Sequence, residues 1–260
     1  MAPNPDSHDP TPTSIAVAIP CYNEAAAIAE VVAQWRLALP VATIYVFDNN
    51  SSDGSGAIAR VAGAHVEEVP DQGKGHVVQA IFSRLMAYDA VVMIDGDGTY
   101  PATEVGPLLA PILDGSAEMT IGARVPVAEA GAMTLIRRAG NLLIRAAFRI
   151  LIGRPPGDLL SGYRVFSRRF RESVVLRSAG FEIETELASE AVSRGLRTQE
   201  FPVPYYPRIE GTVSKLNAFR DGRRILVTIV RQSLRLGPWR LLLLSLGIGL
   251  MACLVVWIFR

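Results

Sequence analysis

Two aspartates separated by one glycine, Asp95-Gly96-Asp97, follow the apolar run Ala90-Val91-Val92-Met93-Ile94. Carboxylates this close repel each other unless a cation lies between them. Mg²⁺ or Mn²⁺, held by one or two carboxylates plus substrate phosphates, suits so small a ligand set. A turn that merely ends a strand is the plainer reading of the same residues. An EF-hand Ca²⁺ loop does not fit, because Tyr100 and Gly106 stand where its glycine and its bidentate glutamate belong. A second polar run, Asp48-Asn49-Asn50-Ser51-Ser52-Asp53-Gly54, follows Ile44-Tyr45-Val46-Phe47. Its carboxylates and amides can accept hydrogen bonds from a base or ribose, or Ser52 and Asp53 can cap a helix.

The lysines are the next signal. The chain has 24 Arg and only two Lys, Lys74 and Lys215. Where Arg is the default cation, a lone Lys marks a place for a compact charge. Lys74 lies in the glycine-flanked turn Gly73-Lys74-Gly75, which lacks P-loop spacing. Lys215 ends the stretch Arg208-Ile209-Glu210-Gly211-Thr212-Val213-Ser214-Lys215, whose basic groups flank a glycine and suit a loop that folds over phosphates. A solvated surface position is the ordinary alternative for each lysine.

These groups need a scaffold that brings them together. Apolar runs at 15–20, 43–48, 65–69, 90–95 and 119–121 predict strands. Helical patterns separate them at 24–39, 54–62, 74–88 and 102–113. Strand-then-helix alternation with near-continuous apolar strands predicts an α/β domain whose mostly parallel sheet is flanked by helices. A long helical pattern follows at 132–152, then a loop at 153–160, a short strand at 163–166, a helix at 182–194 and a β segment at 197–205. In such sheets ligands bind beyond the C-terminal strand ends, which is where the polar runs fall.

The formal net charge of +1 conceals a division. Residues 1–135 carry 5 basic and 16 acidic side chains, and residues 136–260 carry 21 and 9. A near-neutral total argues against a general nucleic-acid binder, and no nucleic-acid partner is expected. The basic half ends in an uncharged run, 241–259, between Arg240 and Arg260. At about 1.5 Å per residue that run is nearly as long as a bilayer core is thick, which predicts a transmembrane helix over 239–260. Arg223, Arg224, Arg231, Arg235 and Arg240 precede it and place that side in the cytoplasm. Residues 221–238 read as an amphipathic helix in the headgroup layer, or as a helix packed on the domain. Residues 1–14 are polar and proline-rich, read as a disordered tail, and lack the features of a signal peptide. Two cysteines, Cys21 and Cys253, cannot build a disulfide framework or a cysteine zinc site.

The motifs in their order resemble the family-2, GT-A-fold (Rossmann-like) glycosyltransferases of the dolichol-phosphate mannose synthase branch. The quoted residues are Ile19-Pro20-Cys21-Tyr22-Asn23-Glu24, the Asp48–Gly54 run, Gly73-Lys74-Gly75, Asp95-Gly96-Asp97, Asp158-Leu159-Leu160-Ser161-Gly162-Tyr163-Arg164 and the Arg208 to Lys215 stretch. The resemblance spans about residues 15–220, which forms the expected catalytic domain. It implies a nucleotide-diphosphate sugar donor, a polyprenyl phosphate acceptor, membrane lipid as a partner and Mg²⁺ or Mn²⁺ as cofactor. Pro20, Tyr22, Glu24, Val46, Asp48, Lys74, Asp95, Gly96, Asp97, Arg208 and Lys215 would bind the donor. Asp95 and Asp97 would hold the metal. Asp97, Arg124 and Asp158 are the catalytic candidates, and Arg124, Ser161 and Arg164 would meet the acceptor phosphate. Thr99 stands where the family often has Gln, and the Arg208–Lys215 spacing is one residue longer than usual. Asp158 and Glu184 are the remaining carboxylates of interest, and either could be the general base for a hydroxyl acceptor. Asp158 could instead orient an Arg or help bind the acceptor phosphate, and Glu184 otherwise reads as part of a helix start.

Two other functions fit these residues. One is transfer to a saccharide or lipid hydroxyl, which needs a general base. The other is a membrane-tethered scaffold that binds nucleotide sugars without turnover.

Overall fold

The computed structural model describes residues 13–127, 135–212, 215 and 217–237. Its strands are β1 (Ile15–Cys21), β2 (Thr43–Asp48), β3 (His65–Glu68), β4 (Ala90–Met93), β5 (Met119–Pro126), β6 (Arg164–Ser167) and β7 (Thr198–Tyr205). Its helices are α1 (Ile28–Ala38), α2 (Ser55–Val61), α3 (Lys74–Arg84), α4 (Val105–Leu113), α5 (Leu135–Leu151), α6 (Arg168–Ser173), α7 (Ile183–Ser193) and α8 (Ala218–Leu236). The strands form one sheet in the order β3-β2-β1-β4-β6-β5-β7. All its neighbouring pairs are parallel except the two made by β6.

Alternation along β1 explains the layers. Ile15, Val17 and Ile19 face one side, where they pack with Val31, Val32 and Trp35 of α1 and Leu108 and Ile112 of α4. Ala16 and Ala18 face the other side, toward Val78, Ile81 and Phe82 of α3, Phe170 of α6 and Leu187 of α7. A sheet buried on both faces has no polar side to show, hence its near-continuous apolar strands. A third cluster joins Ile144, Phe148 and Leu151 of α5 to Ala188 of α7 and to Ile225 and Ile229 of α8.

The chain reverses its direction of travel across the sheet at β1. From β1 it moves outward to β2 and β3, then α3 returns it to β4 on the other flank. The crevice beyond the C-terminal ends of β1 and β4 is therefore the switch point, the usual place for a ligand in this class of sheet.

Element boundaries differ from the sequence reading for local reasons. α1 begins at Ile28 rather than at Glu24, because residues 25–27 form a turn in which the Ala27 N–H donates to the Glu24 carbonyl at 2.9 Å. β5 runs on to Pro126, past Gly122 and Arg124 where the apolar run stops, because β7 pairs with it along its whole length. β7 carries Pro202 and Pro204 and lies at the sheet edge, where a missing N–H is tolerated. The sequence reading has no counterpart for α6. That helix is mostly charged, buries Phe170, and is capped by Ser167 Oγ, which accepts the Phe170 N–H at 3.1 Å.

The division at 220/221 falls inside α8, which is continuous from Ala218 and shares its core with α5. The inner stripe of α8 packs on the domain, while Val227, Val230 and Leu234 stay exposed. None of the described helices is long and apolar enough to cross a membrane. The transmembrane helix expected at 239–260, and residues 1–12 of the expected tail, lie outside the described residues.

Phe166 is wholly buried at the centre of β6, its ring 5.0 Å from Phe82 and 5.2 Å from Phe170. Phe166→Ala should lower stability by about 3–5 kcal/mol, read from the midpoint of urea unfolding at unchanged slope. A loss below about 1 kcal/mol would mean that this layer repacks freely.

Candidate functional site

Three parallel strands deliver polar loops to one edge. The register sets Cys21 of β1 opposite Asp48 of β2, so residues 22–24 and 48–55 leave the sheet side by side. They are laced together. Ser51 Oγ accepts the Asn23 N–H at 3.0 Å, Asn23 Oδ1 accepts the Ser52 N–H at 2.8 Å, and Ser55 Oγ accepts the Glu24 N–H at 2.8 Å. Asp53 takes the N–H groups of Ala25 and Ser55, each at 3.0 Å. Much of this polar run thus holds the loops in place. Asn49, which is buried, accepts the Gly73 N–H at 2.7 Å and donates to the carbonyls of Val69 and Asp71 at 2.9 and 2.7 Å, fixing the turn that carries Lys74. Pro20, Tyr22 and Asp48 remain partly accessible beside it. Val46, expected near the base, is instead fully buried in the core under this edge. Strand alternation turns its side chain toward α1.

Four carboxylates at this mouth, Glu24, Asp95, Asp97 and Glu184, meet cations. Lys74 Nζ lies 2.6 Å from Asp95 Oδ1 and 2.6 Å from Glu184 Oε1. Arg208 Nη1 lies 2.8 Å from Asp97 Oδ2, while the Thr99 hydroxyl donates to Asp97 Oδ1 at 2.7 Å. Lys215 Nζ lies 2.9 Å from Glu24 Oε1 and donates to the Asn23 carbonyl at 2.8 Å. The segment after β7 folds over the aspartates, with the Tyr206 N–H donating to the Thr99 carbonyl at 2.9 Å. Burial raises the Glu24 carboxyl above its usual range, against the pull of Lys215. Burial likewise raises Glu184, opposed by Lys74. Burial alone would lower Lys74, but Asp95 and then Glu184 outweigh it and its pKa moves upward.

Asp95 and Asp97 fit a divalent cation by their chemistry. Both offer hard carboxylate oxygens, and Gly162 sits so close to Asp95 that a Cβ there would overlap its carboxylate. Among the described residues no group of three or more His, Cys, Asp and Glu could cage a metal, so a cation held by this pair would draw further oxygens from phosphate or water, as Mg²⁺ and Mn²⁺ can.

A second ionic group stands beyond an aromatic pair. The rings of Tyr100 and Tyr205 are 5.1 Å apart, and the Arg124 guanidinium lies 5.7 Å from the Tyr205 ring centre. Arg124 grips Asp158 with two bonds, Nε to Oδ2 at 2.6 Å and Nη2 to Oδ1 at 2.9 Å. Burial pushes the Asp158 carboxyl up, but Arg124 outweighs it and the net shift is downward. Ser161 and Arg164, expected to meet the acceptor phosphate, are both buried to the point of zero exposure. Ser161 Oγ donates to the Gly122 carbonyl at 2.6 Å. Arg164 donates to the carbonyls of Leu159 and Ser161 at 2.9 and 3.1 Å. As placed, these two brace the 158–162 loop and leave Arg124 as its accessible cation. The sequence reading missed the link from Glu184 to Lys74. Its only trace is the acidic cluster that opens α7.

Comparison with known proteins adds to this geometry. The family described as Glycosyl transferase family 2 matches residues 16–170. The chain is 39% identical over 224 residues to glycosyltransferase AglJ of Haloferax volcanii, across 86% of this chain and 73% of that protein. It is 31% identical over 219 residues to a dolichyl-phosphate hexose transferase of the same organism, across 84% of this chain and 92% of that protein. Its fold matches glucosyl-3-phosphoglycerate synthase from Mycobacterium tuberculosis, solved with Mn²⁺ and UDP-glucose, at a TM-score of 0.64 and 21% identity, over 85% of this chain and 79% of that one. That likeness makes the architecture GT-A-like.

The Arg124–Asp158 pair has a pH consequence. Because the folded pKa of Asp158 is depressed, the pair contributes stability above the unfolded carboxylate pKa and loses it as pH falls through the folded value. Arg124→Met removes the cation and leaves Asp158 to burial alone. Its acid unfolding midpoint should move to higher pH than that of the wild type. Superimposable acid transitions would show that the pair contributes nothing to folding.

Proposed function

This chain belongs to glycosyl transferase family 2, and we propose that it moves a sugar from a nucleoside-diphosphate sugar to a polyprenyl phosphate, with inversion at the anomeric carbon, at the cytoplasmic face of a membrane. The observation that carries this reading is the set of cation–carboxylate pairs at the switch point, Lys74 with Asp95, Arg208 with Asp97 and Lys215 with Glu24. A diphosphate with its divalent counter-ion brings both signs of charge into such a place. The basic side chains can turn to phosphate oxygens and the aspartates to the counter-ion, so each existing pair is replaced rather than lost. Asp95 and Asp97 would hold Mg²⁺ or Mn²⁺, which when bound stabilises the charge that develops on the departing nucleoside diphosphate. Arg208 and Lys215, on the segment that folds over the site, would add positive charge at the same leaving group.

The acceptor follows from the second ionic group. A phosphate monoester has a second pKa near 6, so at neutral pH it is largely dianionic and already nucleophilic. It needs cations to position it and no strong base. Arg124 supplies such a cation. Transfer to a hydroxyl would need a base, and Asp158 is a poor one while Arg124 holds it on two bonds and keeps its pKa low. A dolichyl-phosphate hexose transferase among the relatives supports a lipid phosphate as the acceptor class.

The outer faces of α5 and α8 suit a lipid surface. Leu142, Leu143 and Ile150 of α5 and Val227, Val230 and Leu234 of α8 are exposed. Arg145, Arg149, Arg223, Arg231 and Arg235 are exposed on the same two helices. Apolar side chains set among arginines match the boundary between acyl chains and anionic headgroups.

Two experiments test this reading. Incubation with a panel of labelled GDP- and UDP-sugars and a short-chain polyprenyl phosphate should give a lipid-linked sugar of inverted configuration, and Asp97→Asn should cut its formation by about a hundredfold or more. Full activity of that variant in excess chelator would remove the metal from the reading. A chain ending at residue 237 should still bind anionic vesicles in a salt-sensitive way. Replacing Arg223, Arg231 and Arg235 with Gln should weaken that binding by about 1 kcal/mol per charge. Equal binding to neutral vesicles would count against the α5–α8 face.

A further inference from the structure

Lys74 is held from two sides, and the second side has no place in the reaction outlined above. Its ammonium lies equally close, at 2.6 Å, to Asp95 at the end of β4 and to Glu184 in the first turn of α7. Glu184 is 4% exposed. A buried carboxylate needs a compelling partner, and Lys74 is the only cation bonded to it among the described residues.

The glycines around Lys74 account for how Glu184 arrives. A Cβ on Gly75 would overlap the Ser178 carbonyl, and one on Gly73 the Ala179 carbonyl. The bare backbone instead lets the Gly75 N–H donate to the Ala179 carbonyl at 2.8 Å. The segment just before α7 therefore docks directly on the Gly73-Lys74-Gly75 turn. Glu186 accepts the Arg177 and Ser178 N–H groups at 3.0 and 2.7 Å and holds that segment to α7. The pair of glycines, the docked segment and the helix start together set one carboxylate against one ammonium.

We propose that Glu184 is a positioning residue for donor binding: it keeps the Lys74 ammonium in the site when Asp95 turns to the cation and diphosphate. Without it, Asp95 is the only anion bonded to Lys74 among the described residues, and the lysine competes with the incoming cation for that carboxylate. With it, Asp95 can leave the lysine at little penalty, because the charge of Lys74 stays matched. The inference rests on Asp95 being a ligand of the bound cation.

The test is a binding cycle on the full chain, with Mn²⁺ titrated by electron paramagnetic resonance in the presence of GDP or UDP. The variants are Glu184→Gln, Lys74→Met and the double variant. Glu184→Gln should weaken Mn²⁺ binding by about tenfold or more, the usual size of an effect from groups behind a metal ligand. In the Lys74→Met background the same change should have almost no effect, because the competing ammonium is gone. An equal loss in both backgrounds, or no loss in either, overturns the inference. Thermal unfolding of each variant reports folding separately, and a fall in Tm with unchanged Mn²⁺ affinity of the folded protein also overturns it. If Glu184→Gln does not fold, Glu184→Asp, which keeps the charge but draws it back from Lys74, should weaken Mn²⁺ binding in the same direction, and unchanged affinity of that variant overturns the inference. If the wild type binds no Mn²⁺ with either nucleotide, the reading of Asp95 as a metal ligand falls as well, and the two failures are distinct.

Discussion

A carboxylate withdrawn from water must find positive charge or give up its own. Glu24, Asp97 and Glu184 are all buried at or beside the mouth of the sheet, with Asp95 partly buried among them. Parallel strands put them there, because all the chain's strand exits near the switch point lie on one edge. The same convergence that makes a binding site therefore creates a repulsion that the fold must answer. The answers come from far away in sequence: Arg208 and Lys215 from the segment after β7, and Lys74 from the start of α3. The sheet cannot close its own mouth without cations from the rest of the chain.

That constraint gives the charge asymmetry of the sequence a structural meaning. Two of the pairs join an acidic first half to a basic second half, Asp97 to Arg208 and Glu24 to Lys215. Lys74 and Glu184 run the other way, since the lysine belongs to the acidic half. Neither arrangement supplies much net stability if an equally shaped apolar pair could replace it. What they supply is a pre-assembled set of opposite charges whose members can change partners. Asp158 illustrates the contrast, since Arg124 holds it on two bonds in a bidentate fork. A pair of that kind orients a guanidinium and is poorly suited to release.

The apolar runs between helical patterns carried the architecture, and β1 and β4 stood out because a strand buried on both faces leaves an unbroken apolar signature, which the edge strand β3 lacks. The ends of elements were harder to read. β5 extends past Gly122 because β7 hydrogen-bonds it, and a partner about 80 residues away leaves no mark in the local pattern. Among site residues, those in short motifs at strand ends were legible as polar runs after apolar ones. Ser161 and Arg164 carry the same residue types as phosphate binders, yet here they hold backbone carbonyls. Residue type alone does not tell whether an arginine faces a ligand or the underside of a loop. The tie of Glu184 to Lys74 was invisible for the opposite reason, since a glutamate in the first turn of a helix is ordinary by itself. Its meaning depends on two glycines more than 100 positions earlier.

The choice of lysine over arginine follows from the same geometry. Both lysines of a chain with 24 arginines lie at this mouth, and each meets more than one oxygen. Lys74 reaches two carboxylates on different elements at 2.6 Å each, and Lys215 reaches a carboxylate and a backbone carbonyl. A guanidinium presents its donors in one plane, in a fork matched to a single carboxylate. An ammonium presents three donors around a point and can turn among acceptors that do not share a plane. Arginine at position 74 would favour two parallel bonds to Asp95 or to Glu184, and would bind the chosen partner too rigidly to exchange it. The two lysines thus stand where one compact charge meets oxygens on different elements, each including a carboxylate of the mouth.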